Sequence, residues 1–193
     1  MDSSKRTSSP WTPDKAIWAF WGIIFLALLI AIALLFRMNT QVEDIEAKIS
    51  YRPPVQTTEA IPPVSSAHEN QVYVPIYSHV YAHGGKPILL EVTLSIRNTD
   101  IDVPMIVNEV NYYDTDGNQV RRYIEAPIVI APLATIEFLV EQQDYEGGSG
   151  ANFVVSWTSE KLLNDPLIQA VMVGSVENDT VSFVSTSVPI EKR

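Results

Sequence analysis

The chain of 193 residues is 46% hydrophobic, carries 13 Lys+Arg against 23 Asp+Glu, and contains no cysteine. That length holds one ordinary domain plus accessories, and the missing cysteines exclude disulfides, thiolate zinc sites and a cysteine-linked lipid anchor. From Gln71 onward 7 Lys+Arg face 16 Asp+Glu, a net of −9 within the whole-chain −10, so this part has no basic patch for nucleic acid or an anionic lipid surface, and its acidity reads as solubility.

In chain order, residues 1–15 are too short for a domain and form a tail. Residues 16–36, "AIWAFWGIIFLALLIAIALLF", are 21 residues without a charge, about the ~20 needed to cross a bilayer as a helix. A cleavable signal peptide has a shorter apolar region that ends in a small-residue site. Here the Ala31-Ile32-Ala33 triplet falls inside the apolar run, so the reading is an uncleaved, single-pass signal anchor. A buried core helix would show a polar face, and this one is apolar all round. Lys5, Arg6 and Lys15 before the span are matched by Arg37, Lys48 and Arg52 after it, so the positive-inside count is a tie. The short tail and the long C-terminal part, which crosses regardless of charge, favour a cytoplasmic N-terminus and an exported domain.

Residues 37–50 read as a helical stalk. Leu35, Met38, Val42, Ile45 and Ile49 repeat at 3-4-3-4 spacing, a heptad seam shorter than the ~3 to 4 heptads of a confident coiled coil. Self-association into a homo-oligomer through this seam is one of two open readings; a lone helix is the other. Residues 51–70 carry four prolines with Ser and Thr. Pro before Pro excludes helix and favours extended geometry, which makes a semi-rigid linker.

From residue 71 to 193 the hydrophobic period becomes two. Ile88, Leu90, Val92, Leu94 and Ile96 alternate with Glu91, Thr93, Ser95 and Arg97, and the pattern recurs at Ala134, Ile136, Phe138 and Val140. It returns at Phe153, Val155 and Trp157 and at Val181 and Phe183. One face of each strand is buried and one is wet. "LIQAVMVGSV" is apolar on both sides, as an interior strand would be, and Pro75 in "VYVPIY" marks an edge strand because it cannot donate to a ladder. About seven to eight strands with regular turn signals predict an all-β, antiparallel immunoglobulin-like sandwich.

Three stretches invite a site. In "NYYDTDGNQVRRY", Asp114, Asp116, Asn118 and Glu125 match calcium-loop positions 1, 3, 5 and 12. Glycine falls at position 4, however, and the flanks are strand-like, so the expectation is a hairpin tip with Asp-Gly at its turn; weak divalent-metal binding by Asp114, Asp116 and Asn118 is the alternative. In "YSHVYAHGGKP", His79 and His83 stand four apart. On a strand that is about 13 Å, too far to share an ion, but Tyr77, His79, Tyr81 and His83 have the aromatic and titratable composition of a contact patch. "GGSGA", residues 147–151, lacks the strand-before, helix-after setting of a nucleophile elbow and the G-K-[ST] of a phosphate loop. It reads as a flexible connection whose glycines let Asn152 or nearby backbone take unusual angles. No catalytic residue, cofactor or metal set can be assigned, and no enzyme activity is expected.

"VYVPIYSHVYAHGGKP", "LSIRNTD", "VNYYDTDGNQVRRYIEAPIVIAPLATIEFLVE", "GGSGANFVVSW" and "PLIQAVMVG" together resemble the bacterial family called domain of unknown function 3124, from about Val72 to Ser187. The resemblance implies a bacterial envelope domain of sandwich type and carries no catalytic residue over. The combined expectation is an inner-membrane protein that holds a periplasmic interaction or scaffold module for an unidentified envelope protein. A small-ligand or weak-metal sensor is the alternative.

Overall fold

The structure, a computed structural model, describes residues 13–49, 51–55, 69–82, 84–142, 144–176 and 179–191. It divides into two compact units, Met1–Tyr51 and Arg52–Arg193.

The first unit is built on α1 (Pro13–Ile49). Pro13 opens it, where a fixed φ and a missing N–H cost nothing; beyond its end, Pro53 and Pro54 exclude further helix. Within α1, Ile17–Met38 is a 22-residue run of mean hydropathy 2.8 with no part buried against the chain. At 1.5 Å per residue it is about 33 Å long, close to the ~30 Å of a hydrocarbon core.

The second unit contains β1 (Asn70–Pro75), β2 (His79–Ala82), β3 (Lys86–Leu89), β4 (Glu91–Arg97), β5 (Met105–Tyr113), β6 (Gln119–Arg122), β7 (Ile128–Ile130), β8 (Thr135–Val140), β9 (Asn152–Thr158), β10 (Leu167–Val176), β11 (Asp179–Thr186) and β12 (Val188–Pro189). One sheet runs β12-β1-β9-β5-β6 with β7 also on β5, a second runs β11-β10-β4-β8, and β2 pairs with β3. All pairings are antiparallel. The fold is therefore the all-β, sandwich-like class that the period-two pattern predicts. Twelve strands appear among the described residues rather than seven to eight because β2, β3, β7 and β12 are pieces of two to four residues.

Registers turn the alternation into core rows. Phe138, Leu94 and Ala170 lie abreast in the second sheet, as do Val140, Val92 and Met172. In the first sheet Val74, Phe153 and Tyr112 form one row and Val72, Val155 and Val110 the next. These residues belong to one buried cluster, with Val72 packed at its margin, so the two sheets bury their inner faces together. Tyr123, just after β6, ties them: its ring is 5.6 Å from Phe138 in one sheet and 5.5 Å from Phe153 in the other.

Some expectations need correction. "ILLEVTLSIRN" is two strands, because Leu90 breaks the ladder and donates its N–H to the Ser78 carbonyl at 2.9 Å. Strand β1 is flanked on both sides, but β12 covers only Val72 and Tyr73, which leaves the Pro75 end without a ladder partner there. The interior position of β10, between β11 and β4, agrees with its apolar composition, although Val171 and Val173 on its outer face stay exposed.

A polar corner locks one end of the sandwich. The Asn98 amide donates to the carbonyls of Val103 at 2.8 Å, Ile130 at 3.2 Å and Ala131 at 3.3 Å. The Asp100 carboxylate accepts the backbone N–H groups of Asp102, Val103 and Asn164. Those N–H donors hold its carboxyl below the usual carboxylate range. "RNTD" is thus a fold-fixing motif: without these side chains, buried carbonyls and amides would lack partners.

Candidate functional site

The Asp114 loop is the tip of the β5–β6 hairpin. Gly117 sits at φ +83°, the left-handed region that glycine enters without strain. Asp114 Oδ1 accepts the N–H groups of Asp116 at 2.9 Å and Asn118 at 2.7 Å, while Oδ2 accepts the Asn118 side-chain amide at 3.0 Å. Its carboxyl is lowered from the ordinary value, first by that Asn118 amide and then by the backbone donors. Both oxygens are thus engaged in shaping the turn. Glu125 lies beyond β6, outside the tip.

The expected contact patch is only partly assembled. His79 and Tyr81, two apart on β2, share a face: Nε2 lies 3.0 Å from the Tyr81 hydroxyl, and the rings meet edge-on at 5.0 Å. Tyr81 is 63% exposed. Tyr77 instead packs edge-on against Phe183 of β11 at 5.6 Å. His83 lies outside the described residues.

The glycine-rich loop between β8 and β9 is a clasp. Thr115 donates from N and Oγ1 to the Gly147 carbonyl at 2.9 and 3.1 Å, and its Oγ1 accepts from Gly150 N at 2.9 Å. Ser78 N donates to the Gly148 carbonyl at 3.0 Å. Gly148, not Asn152, takes the left-handed conformation, at φ +80°. Gly147 is pressed on the buried Tyr112 hydroxyl, which itself lies 3.2 Å from Ser78 Oγ. Burial pushes the Tyr112 hydroxyl pKa up.

Two hollows on the domain bear on ligand binding. One, about 540 Å³, is lined by Arg121, Glu141, Asp144, Tyr145 and Glu146. Arg121 lies 3.8 Å from Asp144 and stacks 5.5 Å over the Tyr123 ring, so its guanidinium has partners within the chain. Burial raises the Tyr123 hydroxyl to about 12.

The other hollow is a cleft of about 500 Å³ at the opposite end of β1 and β9 from the clasp. Trp157 forms a wall with Val72, Pro166 and Pro189, and Glu69, Asp165 and Glu191 supply carboxylates. Trp157 is 6% exposed, and its indole N–H is buried without an acceptor among the described residues. Sequence reading placed Trp157 in the core and missed the cleft, because its walls come from four separated segments. The available signal was compositional: Trp157 is the sole tryptophan after Trp21.

Residues 69–190 match the family described as protein of unknown function, DUF3124. The chain belongs to the DUF3124 family. The matched DUF3124 stretch contains the clasp, the polar corner, the hairpin tip and most of the Trp157 cleft, and excludes α1. No curated protein matches the chain. Among solved structures, "Crystal Structure of Thermotoga maritima 1070" is similar at 12% identity and a TM-score of 0.38, covering 62% of this chain and 92% of that one.

Proposed function

We propose that this DUF3124 chain is a single-pass membrane protein whose exported sandwich serves as an interaction or scaffold module of the bacterial envelope, without catalysis. The observation that carries the proposal is the pairing of an apolar run with no part buried, Ile17–Met38, with a separate acidic β unit. The uncovered residues of this run, uncharged except for Arg37 near its end, are costly in water and stable in lipid. The contact surface we assign is the β2–β3 hairpin, where Tyr81 presents an exposed aromatic ring beside His79; Tyr77 and His83 complete the assignment. A homo-oligomer through the stalk seam remains part of the proposal.

A topology reporter joined after Arg193 tests the placement. Alkaline phosphatase active there supports a periplasmic domain; a reporter active only in the cytoplasm overturns it. In-membrane crosslinking should then capture an envelope protein through the domain, with less captured after Tyr81→Ala.

A second reading, a small-ligand-binding domain, is favoured by the Trp157 cleft rather than by the histidine stretch or the Asp114 loop. Its size is within the ~300–1,000 Å³ of ligand pockets.

A further inference from the structure

The outer edge of a sheet presents unpaired N–H and C=O groups to any further strand, and folds blunt such edges with short strands, charge, proline or a covering segment. Strand β12 is two residues long and ends on Pro189, β6 is four residues long with Arg121 and Arg122, and β7 is three residues long between Pro127 and Pro132. On β8 the Leu139 carbonyl accepts from the Tyr123 hydroxyl at 3.2 Å, and Arg52 and Pro54 share a hollow with Thr135, Ile136 and Glu137. Strand β11 has no such device. Its eight residues pair only with β10 among the described residues, and residues 180–186, "TVSFVST", contain no charge, proline or glycine. At ~3.4 Å per residue the open edge is about 27 Å long.

The phase of the ladder tells which groups face out. Ser187 donates to the Ile168 carbonyl at 3.0 Å, one step beyond the Gln169–Thr186 pair. Directly opposed residues of an antiparallel ladder alternate between exchanging bonds and not, so Val181, Phe183 and Ser185 turn their N–H and C=O groups to β10. Thr180, Ser182, Val184 and Thr186 turn theirs outward, and no backbone group of a loop bonds to them among the described residues. The strand is also held in place from within. Phe183 packs edge-on against Tyr77, and the Ser185 hydroxyl donates to the Pro75 carbonyl, so little ordering cost is left for a pairing strand to meet.

We propose that β11 pairs antiparallel with β11 of a second copy of this chain, joining the two β11-β10-β4-β8 sheets across a two-fold axis at Phe183. That axis places Thr180 opposite the partner's Thr186 and Ser182 opposite the partner's Val184, so every outward N–H and C=O group of residues 180–186 meets its counterpart. Charge selects the occupant. The domain from Gln71 onward carries −9, so two copies repel each other over most of their surface and meet without opposed charges along this edge, whereas a basic partner is drawn to the acidic surface instead. On the outer face Val184, 55% exposed, stands beside Val171, 37% exposed, and the second copy's strand covers part of both. This contact is separate from the stalk seam and from the ligand-binding reading.

The chain has no cysteine, so introduced disulfides report the register. Full chains carrying Ser182→Cys and full chains carrying Val184→Cys, with different tags, are mixed in zwitterionic detergent with micelles in excess and oxidised. In the proposed pair their Cα atoms lie about 5.5 Å apart, within disulfide reach. The mixed-tag disulfide should form about tenfold faster than that between Ser182→Cys and a control at the hairpin tip, Asp116→Cys. Thr180→Pro in both chains removes an outward N–H and no bond to β10; it should slow the reaction about tenfold or more, with the β circular-dichroism signal retained. Thr180→Val, which keeps the N–H, should not slow it, nor should Ile45→Asp in the stalk. Equal rates with the hairpin-tip control overturn the inference. Loss of the mixed disulfide with Ile45→Asp also overturns it and assigns association to the stalk. If the Ser182→Cys thiol reacts with maleimide in detergent but is shielded in native membranes that give no mixed disulfide, a strand of another protein holds the edge and self-pairing is refuted.

Discussion

Replacing Gly147 with alanine should destabilise the sandwich, and about half of the cost should disappear in the background of one deleted oxygen. A Cβ at Gly147 overlaps the Tyr112 hydroxyl and lies 2.5 Å from Ser78 Oγ and 2.7 Å from Tyr112 Cζ. Tyr112 is fully buried, so the ring has no open side to retreat into. Overpacking of this kind costs about 1–3 kcal/mol, and displacing the hydroxyl from Ser78 adds about 1 kcal/mol. Gly147→Ala alone should therefore cost about 3 kcal/mol, near 12 °C in Tm for a domain of this size. Tyr112→Phe alone should cost about 1 kcal/mol. In the double variant the worst overlap is gone while the approach to Cζ and Ser78 remains, so the total should be about 2.5 kcal/mol rather than 4. Urea unfolding of the unit from Arg52 onward, followed by the fluorescence of Trp157, measures all four proteins. If the double variant equals the sum of the singles within about 0.5 kcal/mol, the clasp does not press on Tyr112 and the account of the glycine loop is wrong.

Asn98→Ala should cost about 2–4 kcal/mol, since it strands carbonyls at the polar corner; the same unfolding assay checks it, and a loss under about 0.5 kcal/mol would contradict the corner. Asp100 and Asp114 both have lowered pKa values, so the stability they contribute is present above the ordinary carboxylate range near pH 4 and lost as pH falls through their lowered values. Asp100→Asn should flatten the acid limb of a stability–pH curve; an unchanged limb would remove Asp100 from its cause. Tyr123, raised to about 12, stays protonated when folded while the unfolded chain ionises near 10. Stability should therefore fall as pH rises from about 10 to about 12, less steeply after Tyr123→Phe, with ionisation followed by tyrosinate absorbance. Leu133 holds φ 59° at a position 68% exposed, a conformation costing a non-glycine residue about 1 kcal/mol. Leu133→Asn should raise stability by several tenths of that and, if Tm falls instead, the leucine side chain holds the turn.

How far the sequence could be read depended on where each element's partners lie. Strands β4, β8 and β9 announced themselves because their core positions recur every second residue, and Asp116-Gly117 announced the hairpin because the turn's needs are local. Strand β5 was legible as the strand-like flank of that hairpin but not by alternation: a bulge between Val107 and Glu109 shifts the phase, so Val107 and Val110 both face inward at a spacing of three. The calcium-like spacing of Asp114, Asp116 and Asn118 was also a local signal, and of those side chains Asp114 supplies the oxygens that serve the turn. His79 and Tyr81 could be paired from a two-residue separation, whereas Tyr77 turned to Phe183, more than a hundred residues away. The cleft was invisible for the same reason: β1, β9, the approach to β10 and the chain around β12 meet only after both sheets have folded.

The clasp also sets what can move. Through Ser78, Thr115 and Gly147–Gly150 it fastens the β1–β2 connection, the hairpin tip and the β8–β9 loop to one another. Three loops joined in this way open together or not at all. Their amides should exchange with solvent at one shared rate, set by a single collective opening, and a force applied at the hairpin tip is passed straight into β1 and β9.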